Sequence, residues 1–140
     1  MSRIFWDTNL FIYLIEGKSS MAQQVVILRK KMRARGDQLL TSTLTLGEVL
    51  VKPLQMDDLK LASVYQQELM LSSVLIPFDL KAAGAYARLR SDRSLRAPDA
   101  IQLACAATAG VDLFITNDIR LHSKQIPGIQ FIVPLDRVPI

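Results

Sequence analysis

A chain of 140 residues, half of them hydrophobic and 21% charged, has enough apolar content for one domain over residues 1–140 and excludes a disordered chain. Seventeen Lys and Arg against thirteen Asp and Glu leave a net charge of +4, compatible with a nucleic-acid partner but weak as an argument for one. The single cysteine, Cys105, excludes an internal disulfide; it lies in the apolar run LACAATAG, where a buried, inert thiol in a reducing cytoplasm is expected.

In chain order, IFW (Ile4–Trp6) reads as a short buried strand, followed by helical NLFIYLIEG with Gly17 as its stop. The LFIYLI run, bracketed by Asp7 and Glu16, is too short for a signal peptide or a membrane span, so the chain reads as soluble and cytoplasmic. MAQQVVILRKKMRARG predicts a longer helix ending at Gly36, its basic last turns a solvated face that suits a helix C-terminus. QLLTS (Gln38–Ser42) is a strand, and TLGEVLVK a helix that stops at Pro53. Asp57 and Asp58 open the next helix, LKLASVYQQELMLSS, before strand VLIP (Val74–Pro77). Asp79 caps LKAAGAYARLRSD. After RSLRA, the segment PDAIQLACAATAG is a helix with Pro98 at its first position and Gly110 just past its end. DLFIT (Asp112–Thr116) and IQFIV (Ile129–Val133) are the last strands. Apolar strands alternating with helices predict an α/β fold whose mainly parallel sheet is covered on both faces.

Four acids recur at one kind of place. Asp7 follows the first strand, Glu48 lies in the first turns after the second, Asp99 opens the Pro98 helix, and Asp118 follows DLFIT in TND. In open α/β sheets the carboxyl ends of the strands and the starts of the following helices share the ligand-binding edge. Each acid alone has a structural explanation: Asp7 as an N-cap, Thr45 and Glu48 as a capping box, Asp99 on the helix dipole, Asp118 in a turn. Together they make a cleft of carboxylates, which repel one another unless a cation intervenes. Oxygen ligands that leave room for water describe Mg²⁺ or Mn²⁺, whereas one cysteine and one histidine fit zinc poorly.

These segments resemble the PIN domain, in particular the single-domain ribonucleases of VapC-type toxins. LRAPDAIQLACAATAGVDLFITNDIRL (Leu95–Leu121) is similar to the family's third and fourth acidic motifs, FWDTNLFIYLIEG to its opening motif, and TSTLTLGEVL to the segment with the helical glutamate. Four motifs in order are strongly specific, although each alone is weak. The resemblance implies a three-layer α/β/α sandwich with a five-stranded sheet of order 3-2-1-4-5. It also implies a Mg²⁺- or Mn²⁺-dependent endoribonuclease, inhibited by a cognate antitoxin and often a homodimer. Asp7, Glu48, Asp99 and Asp118 match the acidic positions, Thr116 the hydroxyl residue before the last acid, and Asn9 a polar residue near the first.

The chemistry of phosphodiester hydrolysis agrees with that implication. Asp7 and Asp99 are the principal expected metal ligands and Asp118 a further one, while Glu48 is placed to orient or deprotonate the attacking water. Asn9 and Thr116 would hold carboxylates in place by hydrogen bonding. Of the basic residues in ARLRSDRSLRAPD, Arg96 is nearest a carboxylate and is the candidate for gripping RNA. His122 reads as a loop residue, Trp6 and Tyr13 as core. Two other classes compete. A phosphatase of the haloacid-dehalogenase kind wants a second aspartate where Asn9 stands, and a receiver wants paired early acids and a late lysine; neither pattern is apparent. A PIN-like fold serving as a non-catalytic binding module would lack Mg²⁺-dependent cleavage.

Overall fold

Adjacent residues within single strands point into different cores, and that alternation sets the architecture. The computed structural model describes all residues 1–140. In order they form β1 (Arg3–Trp6), α1 (Thr8–Glu16), α2 (Ser20–Arg35), β2 (Gln38–Ser42), α3 (Thr43–Gln55), α4 (Leu59–Ser72), β3 (Val74–Ile76), α5 (Leu80–Leu89), α6 (Ala97–Ala109), β4 (Val111–Ile115) and β5 (Ile129–Val133), with 3-10 turns at Ile119–Leu121 and Leu135–Arg137. Ile4 and Trp6 of β1, Leu39 of β2, and Leu113 and Ile115 of β4 join side chains of α1, α2, α3 and α4 in one core. Their neighbours Phe5, Leu40 and Phe114 turn the other way, into a core with Ala82, Leu103, Cys105 and Ala106 of α5 and α6. Phe5 and Phe114 stack across the strand pair, centroids 5.0 Å apart and rings 8° from parallel. Helices therefore cover both faces, which is why the strands carry no exposed polar stripe.

The sheet is parallel throughout, in the order β3-β2-β1-β4-β5. Ile4 pairs with Leu39 on one side and Leu113 on the other, so β1 is central and its carboxyl end lies between those of β2 and β4. No helix is long and apolar enough to cross a membrane.

Caps explain most boundaries. Gly17 (φ 65°) and Gly36 (φ 74°) end α1 and α2 in the left-handed region, and Asp58 and Asp79 start α4 and α5 by accepting from Leu61 and Ala82 N–H groups. Several boundaries differ from expectation: β3 ends at Ile76 rather than Pro77, and β4 covers Val111–Ile115, one residue earlier than DLFIT. Ser42, the last residue of β2, is the N-cap of α3, so the helix starts two residues before Thr45 and no Thr45–Glu48 capping box exists. Nor does Pro53 end α3: its ring is buried, and the last turn closes beyond it through Met56 N–H to the Lys52 carbonyl at 3.2 Å. Pro98 is the second residue of α6, after Ala97.

Candidate active site

The site is built where β1, β2 and β4 run out. Asp7 directly follows β1 and has extended backbone angles (φ −64°, ψ 158°), and its own N–H bonds the Ile115 carbonyl of β4 at 3.1 Å. Its carboxylate is held from two sides. Oδ1 accepts from the Thr8 N–H at 2.8 Å, and Oδ2 from the Thr116 hydroxyl at 2.8 Å. Burial nevertheless raises the Asp7 pKa, and the nearby Glu48 charge pushes the same way, against the lowering effect of those hydrogen bonds.

Glu48 lies one turn into α3, where its Oε1 accepts from the Thr8 hydroxyl at 2.8 Å. Thr8 thus links the two acids, its backbone N–H on Asp7 and its side chain on Glu48. Beneath them lies Gln102 of α6, 3% exposed. Its amide donates to the Thr45 hydroxyl at 2.8 Å and the Thr8 hydroxyl at 3.0 Å, with a longer approach to Asp7 Oδ1 at 3.5 Å. The Ser42 hydroxyl donates back to Gln102 Oε1, and Thr41 donates to the Trp6 carbonyl at 2.9 Å. A polar floor this well satisfied fixes side-chain positions, because any shift leaves a buried group unpaired.

The other two acids form a second pair. Asp99 is in the first turn of α6, and burial, then the charges of Asp118 and Asp7, raise its pKa. Asp118 caps the 3-10 turn after β4, and its N–H bonds the Thr116 hydroxyl at 3.1 Å. Arg120 spans this pair. Its Nε donates to Asp118 Oδ1 at 2.9 Å and its Nη2 to Asp118 Oδ2, and Nη2 stands 3.6 Å from Asp99 Oδ2. That fork holds the Asp118 carboxyl below its ordinary pKa.

The four acids therefore share one edge as two pairs, Asp7 with Glu48 and Asp99 with Asp118. No three of them stand close enough together to enclose a cation. Thr116 touches the first pair by its hydroxyl and the second through the Asp118 N–H. Asn9 is exposed and bonds none of the acids; Thr8, its neighbour, makes those contacts instead. Arg96 is the exposed N-cap of α6 and lowers the pKa of both Asp99 and Asp118 by its charge.

A family model of the PIN domain matches residues 4–126. The chain belongs to the PIN domain family. No curated protein matches the sequence. Among solved structures it is similar to VapBC2 from Rickettsia felis bound to a promoter DNA fragment, with TM-score 0.74, 16% identity, and 94% of this chain and 98% of that one covered. It is also similar to DNA-bound VapBC from Salmonella typhimurium, at TM-score 0.72, 19% identity and 96% and 99% coverage. A toxin–antitoxin complex from Klebsiella pneumoniae gives TM-score 0.64 at 22% identity, covering 93% and 99%.

The residues of this PIN domain fit a hard divalent cation by donor type. Every candidate ligand is a carboxylate, and the mutual charges of Asp7, Asp99 and Asp118 leave negative potential that burial makes costly. Gln102 and Arg120 are the residues that sequence reasoning missed. Gln102 did carry a signal: three residues beyond Asp99 on one helix, it had to share that acid's face. Arg120 carried a weaker one, two residues after an acid in a turn. His122, read as a loop residue, holds the TND segment from behind by donating Nε2–H to the Thr116 carbonyl at 2.7 Å. Trp6 and Cys105 are fully buried, and burial pushes the Cys105 thiol up to about 11.

Proposed function

We propose that this PIN domain is a Mg²⁺- or Mn²⁺-dependent endoribonuclease, the toxin of a VapC-type toxin–antitoxin pair that acts in the cytoplasm. The observation that carries the reading is Asp7, a carboxylate kept in a costly buried setting at the end of the central strand and braced there by Thr116 and Thr8. An N-cap needs no such burial. A function that uses the charge accounts for it.

When bound, a divalent ion would supply a water nucleophile at neutral pH and neutralise charge on the phosphoryl oxygens. Asp7, Asp99 and Asp118 are the residues that would hold it. Glu48, set beside Asp7 by the Thr8 hydroxyl, accepts the proton of the attacking water, and an in-line attack leaves a 5′-phosphate and a 3′-hydroxyl. Thr116 keeps Asp7 in place, and the Gln102 floor excludes water below it. Arg96, exposed at the start of α6, supplies positive charge for the RNA backbone.

The partner is proposed to be a cognate antitoxin, with the toxin itself a homodimer. A cleft of about 420 Å³ between α1, α2 and α4, lined by none of the four acids, is walled by Trp6, Phe11, Leu14, Val26, Val64 and Leu69 and edged by Arg29 and Arg33. Trp6 Nε1 and Arg29 Nε are buried there with no hydrogen-bond partner in the chain. An apolar helix face with an acidic flank suits such a groove.

The rival is a non-catalytic PIN-like binding module, favoured by the separation of the acids into two pairs. RNA cleavage by the purified chain with Mg²⁺ or Mn²⁺, set against Asp7→Asn, decides between them. Cleavage that requires metal and falls by about 100-fold or more in the variant is expected of the enzyme. No cleavage under any metal favours the module, and cleavage that persists without metal overturns the metal-dependent mechanism.

A further inference from the structure

Among the cations near the acids, only Arg120 touches two of them. Its guanidinium forks onto both oxygens of Asp118 and reaches Asp99, so one +1 group stands between the two carboxylates expected to hold metal. The backbone supports this placement. Asp118 caps the 3-10 turn that contains Arg120 by accepting the Arg120 N–H at 3.1 Å, so the side chain starts from a fixed base. The guanidinium is also still 46% exposed, with Asp99 and Asp118 at 21% and 19%, and a path outward into solvent is open. Arg96, by contrast, makes no hydrogen bond or close ion pair with either acid and acts on both only through its charge.

We propose that Arg120 is an internal counter-ion that exchanges with the divalent cation: it neutralises Asp99 and Asp118 in the metal-free chain and is displaced outward when metal binds. The inference rests on the metal-site reading above. A cation already in residence weakens metal binding by its own interaction with the acids and keeps them from repelling one another when metal is scarce. A bare surface pair between residues two apart would do neither, since such pairs contribute little.

The test measures Mn²⁺ binding to the full chain without RNA, by electron paramagnetic resonance of the free ion or by calorimetry. Wild type, Arg120→Gln, Arg120→Lys and Asp7→Asn are compared, with circular dichroism checking the fold of each. Arg120→Gln is expected to bind Mn²⁺ more tightly, on the order of 5- to 10-fold, with Arg120→Lys between it and wild type. Independently, in the wild-type chain the nitrogen-edited NMR signal of the Arg120 Nε–H is expected to shift and exchange faster as Mg²⁺ is added; this readout stands even if a variant fails to fold. Equal or weaker Mn²⁺ affinity in Arg120→Gln, with an Nε–H signal indifferent to Mg²⁺, overturns the exchange. If wild type binds Mn²⁺ and Asp7→Asn does not, the metal-site reading stands, and a failed Arg120→Gln arm then removes the Arg120 inference alone. If wild type binds no Mn²⁺ at all, the metal-site reading falls and takes this inference with it. Loss of RNA affinity in Arg120→Gln at unchanged Mn²⁺ affinity also overturns it, and assigns Arg120 to the phosphate backbone.

Discussion

Glu48 is the residue at which a structural and a chemical role can be separated cleanly. A capping box with Thr45 was one explanation for it, and the start of α3 at Ser42 removes that explanation. What remains is one accepted hydrogen bond, from the Thr8 hydroxyl to Oε1. Glu48→Gln keeps a carbonyl oxygen for that bond and removes only the charge and the ability to take a proton. Cleavage is therefore expected to fall by about 100-fold or more. The melting temperature should hold or rise, because the like charge beside Asp7 has gone. Assays of initial rate and thermal melts on the same samples check both halves. A variant that cleaves normally returns Glu48 to a purely structural place beside Thr8.

Among the elements, α6 does the most to shape the site, and it shows what a sequence reveals and what it hides. Its limits were legible in advance from Pro98 and Gly110, and its acid from position alone. Two strands were equally plain: QLLTS and IQFIV match β2 and β5 residue for residue, since each is a short run of mostly β-branched or apolar residues between turns. Gln102 was not plain, because an amide inside an apolar helix announces no partner until the sheet edge with Thr8, Ser42 and Thr45 is placed against it. The start of α3 was hidden for a related reason, as Ser42 ends a strand and caps a helix at once. The β4-to-β5 crossover also escaped a helix-by-helix reading: it uses only a 3-10 turn and a loop, and Gly128 (φ 96°) lies so close to α6 that a Cβ there would meet the Ala107 carbonyl at 2.3 Å. Gln102→Leu tests the role of α6 as the clamp. It fills similar volume but leaves the hydroxyls of Thr8, Ser42 and Thr45 without their shared partner, so a loss of about 1–3 kcal/mol is expected in denaturant melts. Activity should fall further than stability alone explains, at temperatures where the variant is fully folded, because Thr8 then no longer fixes Asp7 and Glu48. Gln102→Glu should be worse for activity still, since it sets a fifth carboxylate against Asp7.

At the scale of the whole molecule, the acidic edge is a stability cost that bound metal would relieve. Asp7 has its folded pKa raised above the unfolded value of 3.8, chiefly by burial. Below that value Asp7 is protonated in both states and costs nothing. As pH rises from 3.8 through the raised folded value, the buried carboxylate must ionise, and the folded state loses stability relative to the unfolded one. Other acids move oppositely: Asp118, forked by Arg120, and Asp92, held to about 2 chiefly by a hydrogen bond from Lys124. The difference between wild type and Asp7→Asn cancels those contributions and isolates Asp7. In metal-free buffer, the advantage of Asp7→Asn should be small near pH 3.5 and widen toward neutrality. Each kcal/mol regained raises the melting temperature by roughly 3–5 °C in a chain of this size. Saturating Mg²⁺ or Mn²⁺ should reverse the order at pH 7, raising the wild-type melting temperature by mass action while leaving the variant almost unmoved. The most stable form without metal would then be the inactive one, as expected where function keeps a charge that folding alone would discard. If Asp7→Asn melts below wild type in metal-free buffer at every pH, Asp7 is a stabilising N-cap, and the cost assigned to its burial is wrong.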